Sequence, residues 1–216
     1  MSNDQLVSSV TDELIWDPKV DSAAVAVSAD DGIVTLRGTV GSFREKREAK
    51  QDAERVYGVE NVNNELQVRI LEGNRRDDAD LRGDTLRALM LDSLVPPTID
   101  AKVNDGWVIL TGSAEWQFQR DEAEFIAANV LGVAGMINQI ELMAPMPSAG
   151  DVKQSIKKAI ERNAKLDAEA VSVESSNGTV TISGTVSSWS EHDDAVSAAW
   201  AAPGVRRVKD QILVAY

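Results

Sequence analysis

The stretch Gly32-Ile-Val-Thr-Leu-Arg-Gly38 returns as Gly106-Trp-Val-Ile-Leu-Thr-Gly112 and again as Gly178-Thr-Val-Thr-Ile-Ser-Gly184. In each copy a glycine opens an apolar-alternating run and a second glycine closes it six residues later. A third glycine follows 26 residues after the first, at Gly58, Gly132 and Gly204, and each is followed by valine: Val59, Val133, Val205. Nine of the 14 glycines therefore sit on one grid, with a period of 74 and then 72 residues. Self-similarity at a fixed period is the signature of repeated modules.

Working outward, other positions obey the same grid. Ala49, Ala123 and Ala195 precede the third glycine by nine residues, and Ala53, Ala127 and Ala199 precede it by five. Val62, Met136 and Val208, then Leu66, Ile140 and Ile212, follow it. The repeats span about residues 3–71, 78–143 and 148–216, which gives three domains over 1–72, 73–147 and 148–216. The joints, Glu72-Gly-Asn-Arg-Arg-Asp-Asp78 and Ala144-Pro-Met-Pro-Ser-Ala-Gly150, read as short polar or Pro-rich linkers.

Each repeat is predicted to begin with a helix. Leu6, Val10 and Leu14, then Leu81, Leu86 and Leu89, then Val152, Ile156 and Ile160 form apolar stripes at helical spacing. Asp4, Asp80 and Asp151 stand where a carboxylate caps free N–H groups. Asp17-Pro18 and Pro96-Pro97 are expected to end the first two helices. A strand with alternating apolar residues follows (Val25/Val27, Ile99/Ala101/Val103, Val171/Val173). A hairpin turn at Asp31-Gly32, Asp105-Gly106 or Asn177-Gly178 leads into a second strand. The alanine-rich segment is a second helix, and a third strand closes the unit. The expected fold class is α+β: three tandem α-β-β-α-β sandwiches, each a three-stranded sheet with two helices on one face.

The order of elements, the Gly-hydrophobic-Thr-Leu-x-Gly hairpin and the later Gly58-Val-Glu-Asn-Val-Asn-Asn64 and Gly132-Val-Ala-Gly-Met-Ile-Asn138 resemble the BON domain, named for bacterial osmotically inducible and nodulation proteins. The third copy departs from the pattern, with Asp210 in place of the asparagine. The resemblance covers nearly the whole chain. It implies non-catalytic modules that bind phospholipid or other proteins at membranes under osmotic or envelope stress.

Composition narrows the classes further. With 22 basic and 35 acidic side chains the net charge is −13, so most of the surface should repel nucleic acid and anionic lipid heads. The absence of cysteine excludes disulfides, thiolate metal sites and cysteine nucleophiles. No run approaches the ~20 apolar residues of a membrane span. Met1 to Gln5 has neither basic residues nor an apolar core behind it, so the expectation is a cytoplasmic chain, peripheral at the membrane where it meets one.

Two features stand out as binding candidates. The third repeat carries a net charge of −1 against −6 in each of the others, and its first helix holds Lys153, Lys157, Lys158, Arg162 and Lys165 opposite its apolar stripe. Such a face suits anionic lipid heads or a membrane-associated protein. The second repeat places Trp107 and Ile109 on the sheet face without helices, and adds Trp116 and Phe118 where the other copies are polar or charged. That face is expected to meet a neighbouring module or a ligand, as in a soluble protein-interaction scaffold. Ser190, His192 and Asp193 lie together at a helix start, where serine and aspartate are ordinary caps. Asp77, Asp78, Asp80 and Asp84 lack the closing glutamate of a calcium loop. No P-loop or GxGxxG occurs. No cofactor, metal or enzymatic activity is expected.

Overall fold

The first repeat folds as α1 (Asn3–Trp16), β1 (Val25–Asp30), β2 (Ile33–Val40), α2 (Phe43–Arg55), β3 (Asn61–Asn64) and β4 (Gln67–Val68) in a computed structural model that describes residues 2–143, 149–162 and 170–215. The second holds α3 (Asp78–Met90), β5 (Asp100–Asn104), β6 (Trp107–Thr111), β7 (Ser113–Ala114), α4 (Gln117–Ala128), β8 (Gly135–Asn138) and β9 (Glu141–Leu142). The third has α5 (Ala149–Arg162), β10 (Val171–Ser176), β11 (Thr179–Val186), α6 (Trp189–Trp200) and β12 (Arg207–Val214). By packing, the chain divides into two units, residues 1–93, 100–111 and 123–139 forming one, and 94–99, 112–122 and 140–216 the other.

The first unit contains the sheets β1-β2-β3, with β4 continuing against β2, and β5-β6-β8. The second contains β10-β11-β12 and the pair β7-β9. The hairpin strands are antiparallel, and the closing strand joins parallel to the middle one. The parallel register is the same throughout: Ile33 faces Asn61, Trp107 faces Gly135 and Thr179 faces Arg207, each 28 residues on. Thr39 with Gln67 and Ser113 with Glu141 keep that offset, so the third strand, continuous in β12, is written in two pieces in the first two repeats without slipping.

The hairpins close on two residues. Asp31 and Gly32 (φ 43 and 79) link the paired Asp30 and Ile33, and Asp105-Gly106 and Asn177-Gly178 repeat the geometry. This left-handed pair matches the strand twist. The closing glycine of each run has another cause. At Gly38, Gly112 and Gly184 (φ 133, 112 and 143) a Cβ would collide with the carbonyl oxygen of Ala24, Thr98 or Ala170. The backbone of the incoming first strand crosses there too closely for a side chain. The third set, Gly58, Gly132 and Gly204, also has positive φ.

The core of the first unit gathers Leu6, Val10 and Leu14 of α1 over Val34 and Leu36 of β2 and Ala49 and Ala53 of α2. In the second, Val152, Ile156 and Ile160 of α5 pack with Val173, Val180, Ile182, Ala195 and Ala199. Alanine at i and i+4 lets each second helix approach closely. Three local expectations are corrected. The α3 stripe runs Leu81, Thr85, Leu89, with Leu86 half-buried; the Thr85 hydroxyl donates to the Leu81 carbonyl at 2.7 Å, which satisfies it inside the core. The caps are Ser2, in a capping box with Gln5, and Asp77, while Asp4 and Asp80 lie in the first turn. Helix α3 ends at Met90, well before Pro96-Pro97.

Candidate functional site

Helix α5 buries Val152, Ile156 and Ile160 and turns Lys153, Lys157, Lys158 and Arg162 outward. All four are exposed, and none is in an ion pair among the described residues. Lys165 lies outside the described residues. The corresponding helices differ. Helix α1 has no lysine or arginine, and in α3 Arg82 pairs with Asp100 at 2.9 Å and Arg87 with Asp84 at 3.0 Å. The free basic face belongs to α5.

The aromatic group read in the second repeat divides. Trp107 and Ile109 stand on the outer face of β6, with Ile137 of β8 beside Ile109 in register. Trp107 is 47% exposed and Ile137 43%. The Trp107 ring lies over Gly135, where a Cβ would come within 2.7 Å of it, so the missing side chain of one strand seats the indole of the next. Trp116 and Phe118 belong to the other unit. There they line a crevice of about 170 Å³ with Asp121 of α4 and Ser197 and Trp200 of α6.

His192 is held between two carboxylates, its Nδ1 3.0 Å from Asp193 and its Nε2 2.7 Å from Asp210, with the Trp189 ring edge-on at 4.8 Å. The hydrogen bond to Asp193 and the charge of Asp210 outweigh burial and raise its pKa. The exchange of asparagine for Asp210 thus has a local partner. Asn64 in the first repeat donates to the Lys46 carbonyl at 2.7 Å, and in the third the residue at the Lys46 place is His192 itself. This arrangement stabilises imidazolium and ties α6 to β12; it does not prepare a base for serine.

Two surfaces were not legible in the sequence. The first is the tips of α1 and α3, where Ile15 and Trp16, and Met90 and Leu91, are strongly exposed, Trp16 at 85%. Their only signal is that they lie off the buried stripe at a helix end. The second is a cavity of about 670 Å³ in the first unit, around Arg69, Arg75 and Arg76, within a connection that reads as a solvated linker. Among the described residues no group of three or more histidine, aspartate or glutamate side chains is placed to hold a metal ion, and no helix is long and apolar enough to cross a membrane.

Three copies of helix, hairpin, helix and parallel closing strand define a tandem array of small α+β modules. The chain belongs to the BON domain family, which matches residues 2–70, 77–144 and 148–216. That family is a non-catalytic one. Among its relatives is "Osmotically-inducible protein Y" of Escherichia coli (strain K12), 32% identical over 149 residues, which are 65% of this chain and 73% of that protein. Among solved structures, CdsD, a structural protein of the type III secretion system of Chlamydia trachomatis, aligns at 14% identity and a TM-score of 0.28, covering 98% of this chain and 92% of that one. A structure of the C-terminal domain of CdsD gives the same identity and TM-score over 100% of both chains.

Proposed function

We propose that this chain is a stress-associated binding protein that docks peripherally on anionic phospholipid surfaces, with α5 as the contact. The stress association rests on the kinship with the osmotically-inducible protein. The observation that carries the docking is the face of Lys153, Lys157, Lys158 and Arg162, which have no ion pair among the described residues, on a chain of net charge −13 whose other first helices have no free cation. Each such side chain contributes about 1 kcal/mol near an anionic surface, so four give about 4 kcal/mol, roughly a thousandfold in partitioning.

Flotation of the whole chain with liposomes tests this. Binding should require anionic lipid and disappear when Lys153→Glu, Lys157→Glu and Lys158→Glu are combined. Binding that survives this triple reversal removes α5 from the reading, and no binding to either vesicle type removes the lipid. A second reading, a scaffold for protein clients, is favoured by the half-exposed Trp107, Ile109 and Ile137 face. In that case Trp107→Ser should abolish client capture and leave flotation unchanged.

A further inference from the structure

The cavity around the first connection is bounded by the end of β4 and the residues after it, the 3-10 turn Glu72–Asn74, the start of α3 and the turns at Gly106 and Gly132. Its volume, about 670 Å³, falls in the range of small-molecule sites, roughly 300–1,000 Å³. Three arginines line it, and the backbone fixes where each begins. The Arg69 N–H donates to the Val40 carbonyl at 2.9 Å, extending the β2–β4 pairing. The Arg75 N–H donates to the Glu72 carbonyl at 3.2 Å and closes the 3-10 turn. The stem of Arg76 lies over Gly132, where a Cβ would come within 2.9 Å of its Cγ.

None of these guanidinium groups is in an ion pair or side-chain hydrogen bond among the described residues, although carboxylates line the same cavity. Of the four, Glu72, Asp77, Asp78 and Asp105, two are committed to the backbone. Asp78 accepts from the Asp105 N–H at 2.8 Å and the Gly106 N–H at 2.9 Å, which clamps α3 to the hairpin turn. Asp77 caps α3 by accepting from the Asp80 N–H at 2.8 Å. The lining thus sets three guanidinium groups, with five N–H donors each and none used by a side chain, against four carboxylates, so its N–H donors still outnumber its carboxylate oxygens. Guanidinium forks pair best with oxyanions that offer several oxygens, and phosphate does so to more than one fork at once. Repulsion from acidic side chains elsewhere is screened beyond ~8 Å at physiological salt.

We propose that this cavity binds a small phosphorylated ligand through Arg69, Arg75 and Arg76, with its organic part against Val68, Ile70 and Ala134. The ligand is either a free phosphorylated solute or the headgroup of a phosphomonoester lipid. The second joint, Ala144 to Gly150, has no basic residue, so the expected stoichiometry is one per chain.

Calorimetric titration of the full chain with pyrophosphate, orthophosphate and glycerol 3-phosphate tests the proposal. Flotation with phosphatidate vesicles separates the two sources. The wild type should saturate at one equivalent of at least one soluble probe. Combining Arg75→Gln with Arg76→Gln should weaken binding by about tenfold or more. Arg75→Lys with Arg76→Lys, which keeps the charge and loses the fork, should fall between. The Lys153→Glu, Lys157→Glu, Lys158→Glu protein should titrate like the wild type, which separates this site from the docking helix. If the glutamine pair also lowers phosphatidate flotation, the headgroup is the source; if it lowers only solute binding, the ligand is free. No saturable binding of any soluble probe, or equal affinity in the glutamine pair, overturns the site.

Discussion

Asp52 is the one acidic side chain fully buried among the described residues, and the other repeats place Ile126 and Ala198 at its grid position. One carboxylate oxygen pairs with Arg55; the other has no partner. Burial raises its pKa to about 6 from 3.8, with Asp17 and Glu13 adding to the shift and Arg55 and Lys19 opposing it. The fold thus favours the neutral acid. Between about pH 4 and pH 6 the native state binds more protons than the unfolded one, so this group's contribution to stability falls as pH rises through that window and remains a penalty above it. Asp52→Asn should therefore stabilise the protein at pH 7.5 by about 1–2 kcal/mol, less than the full shift because the buried asparagine amide also loses its hydrogen bonds to water. The gain should vanish near pH 3.5. Urea midpoints at the two pH values decide it, and an equal shift at both would attribute the effect to packing. The sequence held one hint, an acid where two repeats have apolar residues. Thr85 was hidden in the same way, because hydropathy does not record that a hydroxyl has found a carbonyl inside its own helix.

At the scale of elements, the three hairpins are held to one geometry by the closing glycine rather than by the turn alone. The turn tolerates aspartate or asparagine in its left-handed first position, as Asp31, Asp105 and Asn177 do. Gly38, Gly112 and Gly184 tolerate nothing, because an added methyl meets a carbonyl oxygen of the preceding strand. Gly38→Ala should cost about 2–4 kcal/mol, combining backbone strain with the collision, while Gly41→Ala, in a roomier place at ordinary φ, should cost under about 1 kcal/mol. Thermal melts of the two variants measure the difference; similar values would mean that the first strand simply moves aside. Elements were the most legible level of this chain. Alternation and helical spacing depend on which face is buried, and three copies read together cancel local noise. Boundaries were less legible: α3 stops at Met90 because nothing beyond it continues the stripe, and the prolines that looked decisive lie further on. The basic face of α5 was legible through periodicity, whereas the arginines of the first connection were not. Charge in a connection reads as solvation until a cavity and committed neighbours give it a direction.

For the whole molecule, charge sets two interactions of different reach against each other. The first two repeats each carry −6 and the third −1. Long-range repulsion of an anionic membrane therefore comes from most of the chain, while attraction comes from a few cations on one helix. The Debye length is ~30 Å at 0.01 M salt, ~10 Å at 0.1 M and ~3 Å at 1 M. At the lowest salt the field of the net −13 extends over a distance comparable with a module, and it opposes approach of the whole chain. Near 0.1 M that field is cut off, but lysines within a few ångströms of the headgroups still act. At 1 M both are gone. Vesicle binding should therefore pass through a maximum near about 0.1 M rather than decline steadily with salt. Reducing the acidity of the first repeat at exposed sites, for example Asp30→Asn with Asp31→Asn and Glu60→Gln, should raise binding at 0.01 M and leave it little changed at 0.1 M. Flotation across a salt series measures this. A monotonic fall from the lowest salt upward would mean that the acidic repeats do not sense the membrane, and that α5 acts as an isolated cationic helix would.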